Sequence, residues 1–159
     1  MGKTAIYPGS FDPFTNGHLD IVRKAADIFE RVWIVIGVNA EKRRSVPAEP
    51  MADAIVETLT RQGVRNCEVI IWEGLVAEFA KRMGTVYMIR GLRNNMDYNY
   101  EENVAAVNKL INPELEYVYF RSNNVAVSSS MVKELHSYGK DVSDFMPEGF
   151  PLLPPVHIG

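Results

Sequence analysis

The chain has 159 residues, 47% of them hydrophobic and 23% charged, with a net charge of −3. That is ordinary for one globular domain with a substantial core, and it gives no support to bulk binding of a nucleic-acid backbone. No apolar run approaches the ~20 residues of a membrane span, the first residues are not expected to act as a signal peptide, and the single cysteine, Cys67, excludes an internal disulfide. A cytoplasmic protein that neither enters a membrane nor binds nucleic acid is the expectation.

Taken in chain order, a β-prone run from Thr4 to Tyr7 leads into Tyr-Pro-Gly-Ser-Phe-Asp-Pro-Phe-Thr-Asn-Gly-His, residues 7–18. Leu19, Val22, Ala26 and Phe29 follow at helical spacing, and Thr15 and Asn16 are the candidate N-caps. A strand, a Gly- and Pro-rich loop and a helix N-terminus together offer N–H groups and partial positive charge to an anion. Gly9 and Gly17 are read as leaving the backbone open to a phosphate, with His18 in the first helical turn.

Val32 to Val38 is nearly all apolar, as in a strand covered on both faces. A polar segment carrying Lys42, Arg43 and Arg44 comes next, then a helix over about Met51 to Thr60 and a strand through Val69 to Trp72. Glu73-Gly74 ends that strand. Leu75, Val76, Phe79, Ala80 and Met83 form a helical face, and Thr85 to Ile89 reads as a buried strand ending on Arg90-Gly91-Leu92-Arg93. A helix is expected from about Asn99 to Ile111, a fifth strand over Glu116 to Phe120, and a last helix opened by Ser128-Ser129-Ser130 and closed by Gly139. The Pro-rich segment after Gly149 is not helical by pattern.

This alternation predicts an α/β fold, a single domain over 1–159: a Rossmann-like, doubly wound, parallel five-stranded sheet with helices on both faces. In such sheets ligands bind beyond the carboxyl ends of the strands, where residues 9–18, Lys42, residues 74–76, 90–93 and the serines all fall. Neither G-x-G-x-x-G, nor a P-loop, nor G-x-S-x-G occurs. What remains is a phosphate site built from helix ends, one histidine and scattered Arg and Lys. The three histidines, His18, His136 and His157, are too dispersed to form a local metal motif.

Thr15-Asn16-Gly17-His18, preceded by Gly-Ser-Phe-Asp-Pro, resembles the T/H-x-G-H signature of the nucleotidylyltransferase superfamily. Together with Ile89-Arg-Gly-Leu-Arg93, Tyr100-Glu101, Asn112-Pro-Glu-Leu-Glu116 and Ser128-Ser-Ser-Met-Val-Lys-Glu134, it makes nearly the whole chain similar to the bacterial phosphopantetheine adenylyltransferases. The resemblance implies that ATP and 4′-phosphopantetheine give dephospho-coenzyme A and pyrophosphate, assisted by Mg²⁺, in a homohexamer. It places ATP at Ser10, Phe11, His18, Gly91, Leu92, Arg93, Glu101, Asn124, Val125, Ala126, Val127, Ser128, Ser129 and Ser130. It places phosphopantetheine at Ser10, Lys42, Val76 and Arg90, with His18 as the catalytic residue.

Taken singly, these residues have plainer readings. Lys42 belongs to a basic run that would suit a solvated loop, and Arg90 and Arg93 would suit a strand end. Ser128 to Ser130 would suit an N-cap, Glu101 a helix surface and Val76 a core. The sequence also departs from the family pattern: Pro50-Met51 replaces an acidic-Arg pair, and residues 121–127 are shorter before the serines. Transfer to another phosphate acceptor, and a nucleotide-binding regulator without turnover, are the alternatives.

Overall fold

The computed structural model describes residues 2–39, 43–92, 105–122 and 128–150. Five strands, β1 (Thr4–Gly9), β2 (Arg31–Val38), β3 (Cys67–Glu73), β4 (Tyr87–Leu92) and β5 (Glu116–Arg121), form one sheet in the order β3-β2-β1-β4-β5. Every ladder is parallel. Parallel neighbours need crossovers, and helices supply them: α1 (Asn16–Ile28), α2 (Ala48–Arg61), α3 (Val76–Met83) and α4 (residues 105–111), with α5 (Ser129–Ser137) after the last strand. The expected fold is borne out.

Strand periodicity divides the core into two. Ala5 and Tyr7 of β1, Val32, Ile34 and Ile36 of β2 and Ile89 of β4 point to the face covered by α1 and α2. Ile6, Val35 and Met88 point to the other, against Ala77, Phe79 and Ala80 of α3 and Leu115. Both faces of the central strands are therefore dry, which is why β2 reads as a continuous apolar run. A third, small cluster joins Val132 of α5 to Val142 and Met146.

Several boundaries differ from the sequence reading. β4 continues through Arg90, Gly91 and Leu92, because its ladder with β5 runs on to the Leu92–Arg121 pair. The buried stripe of α1 includes Ile21 and Ala25, while Ala26 is only half-buried. On α3, Leu75 and Met83 are largely exposed and Ala77 is buried in their place. Leu75 is the N-cap, outside the helical period, and Met83 is the last helical residue. α2 begins at Ala48, so Pro50 falls in its first turn, where the missing N–H has no intrahelical partner to lose. Gly139 lies just beyond α5 at φ +75°, the left-handed conformation that a helix terminus favours in glycine. Of the helix expected from Asn99, residues 105–111 are described, and 151–159 of the Pro-rich segment lie outside the described residues.

Candidate active site

The sheet's strand order reverses at β1, which pairs with β2 on one side and β4 on the other. Crossovers leave in opposite directions there, and a crevice opens at the carboxyl ends. A cavity of about 300 Å³ fills it, walled by Tyr7 to Phe11, Thr15, Gly17, His18, Ile21, Arg90 to Leu92, Ser122 and Ser128 to Ser130.

The β1–α1 loop shapes one wall. Thr15 is the N-cap of α1, and its hydroxyl accepts from the His18 backbone N–H. His18 returns the contact through its ring, with Nδ1 accepting from the Thr15 backbone N–H at 3.0 Å. This is a capping box in which histidine occupies the place usually held by Glu or Gln. A backbone N–H can only donate, so in the neutral ring the proton sits on Nε2. The helix N-terminus and an imidazole N–H donor are thereby brought to the same crevice. Phe14 stacks on the ring at 5.5 Å between centroids, and Phe11 meets it edge-on at 4.9 Å.

Phe11 is itself unusual. It is a non-glycine residue at φ +45°, and it is only 1% exposed. The ring sits over Gly9, where a Cβ would come within 3.0 Å of Phe11 Cζ. A side chain at Gly9 would crowd that ring, a reason for glycine beside the openness to a phosphate in the sequence reading, and Gly9 itself lines the cavity.

The opposite wall comes from β4 and α5. Arg90 Nη1 donates to the Pro8 carbonyl at 2.6 Å, linking the two strands on either side of the crevice. A guanidinium carries five N–H donors in a planar fork suited to phosphate. Gly91 packs against α1, where a Cβ would lie 3.3 Å from Ile21 Cγ1. Ser128 caps α5 by accepting from the Met131 N–H at 3.1 Å, and Ser129 Oγ donates to the Pro13 carbonyl at 2.7 Å. The second helix N-terminus is in this way bound to the first loop.

Of the expected site residues, Ser10, Phe11, His18, Arg90, Gly91, Leu92, Ser128, Ser129 and Ser130 line this one cavity. Val76 does not: it opens α3 beyond β3 and packs, half-buried, against the core cluster of Ile6 and Val35. Lys42, Arg93, Glu101 and Asn124, Val125, Ala126 and Val127 lie outside the described residues.

Two residues that hold the site together carried no functional reading. Asp12, 5% exposed, accepts from the Ser45 N–H at 2.8 Å and the Val46 N–H at 2.9 Å, with Lys133 Nζ at 3.7 Å. Arg44 donates to the Ser10 and Phe11 carbonyls. Asp12 was visible within the Gly-Ser-Phe-Asp-Pro run, but nothing in the sequence separated Arg44 from the basic residues beside it. Cys67 stands apart on β3, where burial pushes its thiol up to about 11, leaving little thiolate at neutral pH. Among the described residues no helix is long and apolar enough to cross a membrane.

Comparison with known proteins places this architecture. Residues 6–135 match the cytidylyltransferase-like family. The phosphopantetheine adenylyltransferase of Cytophaga hutchinsonii is 44% identical over 149 residues, covering 92% of this chain and 98% of the relative. That of Finegoldia magna is 38% identical over 151 residues, covering 93% and 92%. Among solved structures, a bifunctional NMN adenylyltransferase/ADP ribose pyrophosphatase from Francisella tularensis matches over 96% of this chain with a TM-score of 0.75 at 14% identity. This chain spans 47% of that one, so the likeness speaks for the fold alone.

Proposed function

The chain belongs to the cytidylyltransferase-like family and, within it, to the phosphopantetheine adenylyltransferases, and from that premise we propose how its crevice carries out adenylyl transfer. The reaction moves AMP from ATP to 4′-phosphopantetheine, giving dephospho-coenzyme A and pyrophosphate. The observation that carries the proposal is the meeting of two helix N-termini, His18 and Arg90 in one cavity at the sheet's switch point.

A phosphate monoester is already ionised at neutral pH, so its oxygen attacks the α-phosphorus without a general base. The new P–O bond forms as the α–β bridging bond breaks, and the electron pair leaves with pyrophosphate. The obstacle is bringing two polyanions together and stabilising charge on the α-phosphate during in-line transfer. Donors fixed before the reaction meet that need. His18 donates from Nε2 to an α-phosphate oxygen, held in aim by the Thr15 N–H on Nδ1. The α1 and α5 N-termini, with the serine hydroxyls, receive ATP's phosphates. Arg90, with Lys42, takes the acceptor's phosphate.

Among the described residues no group of three or more His, Cys, Asp or Glu is placed to hold a metal. The serine hydroxyls lining the cavity are oxygen ligands of the kind Mg²⁺ takes, and an ion carried on ATP's phosphates would neutralise charge there.

The test is pyrophosphate release with ATP, Mg²⁺ and 4′-phosphopantetheine, compared with dephosphorylated pantetheine. Release with the phosphorylated acceptor and none with pantetheine is expected, since the phosphate is both nucleophile and handle. Equal turnover with pantetheine would sink the reading.

For assembly we propose the homohexamer expected of the family. Leu75, Met83, Val107 and Leu110, on and beside α3 and α4, are 51%, 38%, 58% and 84% exposed and supply apolar surface for contacts between copies. Sedimentation equilibrium should return six chain masses; a monomer at all concentrations would contradict it.

A further inference from the structure

Outside the cavity, the loop after β2 and the loop after β1 exchange hydrogen bonds in both directions. Asp12 receives the Ser45 and Val46 N–H groups. Arg44 returns the contact: Nη1 donates to the Ser10 carbonyl, Nη2 to the Phe11 carbonyl at 3.2 Å, and Nε to the Val46 carbonyl at 2.8 Å. The Ser10 and Phe11 carbonyls belong to the two peptide planes that flank the Phe11 Cα. A single planar fork therefore grips the backbone on both sides of the residue whose φ is +45°. A phenylalanine does not rest in that conformation unaided, and something must hold it there.

Phe11 in turn sets the site. Its ring touches His18 at 4.9 Å and Tyr7 at 5.2 Å between centroids, and Ser10 immediately precedes it on the cavity wall. Arg44 is also two residues beyond Lys42, in the loop proposed to receive the acceptor's phosphate.

We propose that Arg44 is a positioning residue for adenylyl transfer: by clamping both peptide planes around Phe11 it holds Ser10 and the His18 ring in register with the loop that follows β2. The inference rests on the function proposed above, and it assigns Arg44 no contact with substrate. Lysine cannot replace it, because an ammonium is a point charge and does not present a fork to two carbonyls at once.

The test uses full-length Arg44→Ala and Arg44→Lys, with folding checked by circular dichroism and rates normalised to folded enzyme. Small misplacements of reacting groups are costly, so kcat should fall by about tenfold or more in Arg44→Ala. Arg44→Lys should recover little of that. Millimolar guanidinium, against matched sodium chloride, should restore Arg44→Ala and leave Arg44→Lys unchanged. A residue that mattered only for folding would lower the melting temperature without a kcat defect per folded molecule and without guanidinium rescue, and that result would overturn the proposal. Wild-type activity in Arg44→Lys would overturn it too, and decides the matter should the alanine variant not fold.

A readout without turnover separates this inference from the function it rests on. In the ligand-free protein, Arg44→Ala (or Arg44→Lys should the alanine variant not fold) should speed amide exchange at Thr15, whose N–H is held by the His18 ring, relative to the β2 amides. Unchanged protection at Thr15 would refute the clamp whether or not the wild type transfers adenylyl groups. Faster exchange at Thr15 together with an inactive wild type would leave the clamp standing and remove the assigned reaction.

Discussion

Replacing His18 with alanine is expected to lower kcat by about 10²–10³-fold, the usual loss when a donor to developing charge is removed. ATP affinity should stay within a few-fold, because the proposed ground-state binding is shared between two helix N-termini and the serines. A defect in kcat with little change in binding marks an interaction made in the transition state. The role also makes a claim about pH. If His18 were a base, hydroxide would replace it and the variant would recover as pH rises; a missing donor leaves the enzyme slow throughout. His18 has a second duty as the cap on the Thr15 N–H, worth about 1 kcal/mol in comparable caps. His18→Asn, whose amide oxygen can accept from Thr15, separates the two. It should keep more of the stability than the alanine variant and still turn over slowly. Near-wild-type kcat in His18→Ala, or recovery at high pH, would remove the histidine from its assigned place.

The second large effect is on stability. Asp12 is buried and its two oxygens receive separate backbone N–H groups of the loop after β2, with Lys133 of α5 close by. Hydrogen bonds to a charged group contribute about 1.5–3 kcal/mol each, and removing the acceptor leaves the donors without partners. Asp12→Ala should therefore destabilise the protein by about 3 kcal/mol, after allowing for water reaching the exposed Ser45. At this chain length that is a fall in Tm of roughly 6–12 °C. Asp12→Asn retains one acceptor oxygen and should lose about half as much. A calorimetric shift below about 3 °C in the alanine variant would show that the clasp between the loops carries little of the folding energy.

The fold was legible because its signals are local. β2 and β4 are apolar runs of strand length, the helices carry 3.6-residue stripes, and Thr15, Ser128 and Gly139 mark helix ends with side-chain or backbone chemistry. Residues 7–18 were legible as a strand, loop and helix N-terminus for the same reason. What escaped was relational. Arg44 differs from Arg43 only in what it faces, and two carbonyls more than thirty residues away cannot be seen in a basic run. Gly9 was visible as a glycine, but the ring folded back over it from Phe11 depends on a left-handed turn that phenylalanine does not announce. Leu75 misled in the other direction: it continues the apolar pattern of α3 and yet sits one residue before the helix begins.

The order of the strands has a consequence for how the protein comes into being. β1 is made first and acquires β2 early, but its other neighbour, β4, lies most of a hundred residues downstream; the Arg90 bond to Pro8 spans 82 positions. Parallel strands cannot pair through a tight turn, so each ladder waits for a whole crossover, and long-range closure of this kind is slow. On the ribosome the β1–β2–β3 half, with α1 and α2 on its face, emerges before β4 is available. Until then β1 presents an unpaired edge beside the segment proposed to bind phosphate, and the crevice has one wall. Its far wall arrives with β4 and then α5. The proposed catalytic centre is therefore assembled from the strand made first and from β4 and α5, made much later, and a nascent chain carries His18 well before the groups proposed to act with it.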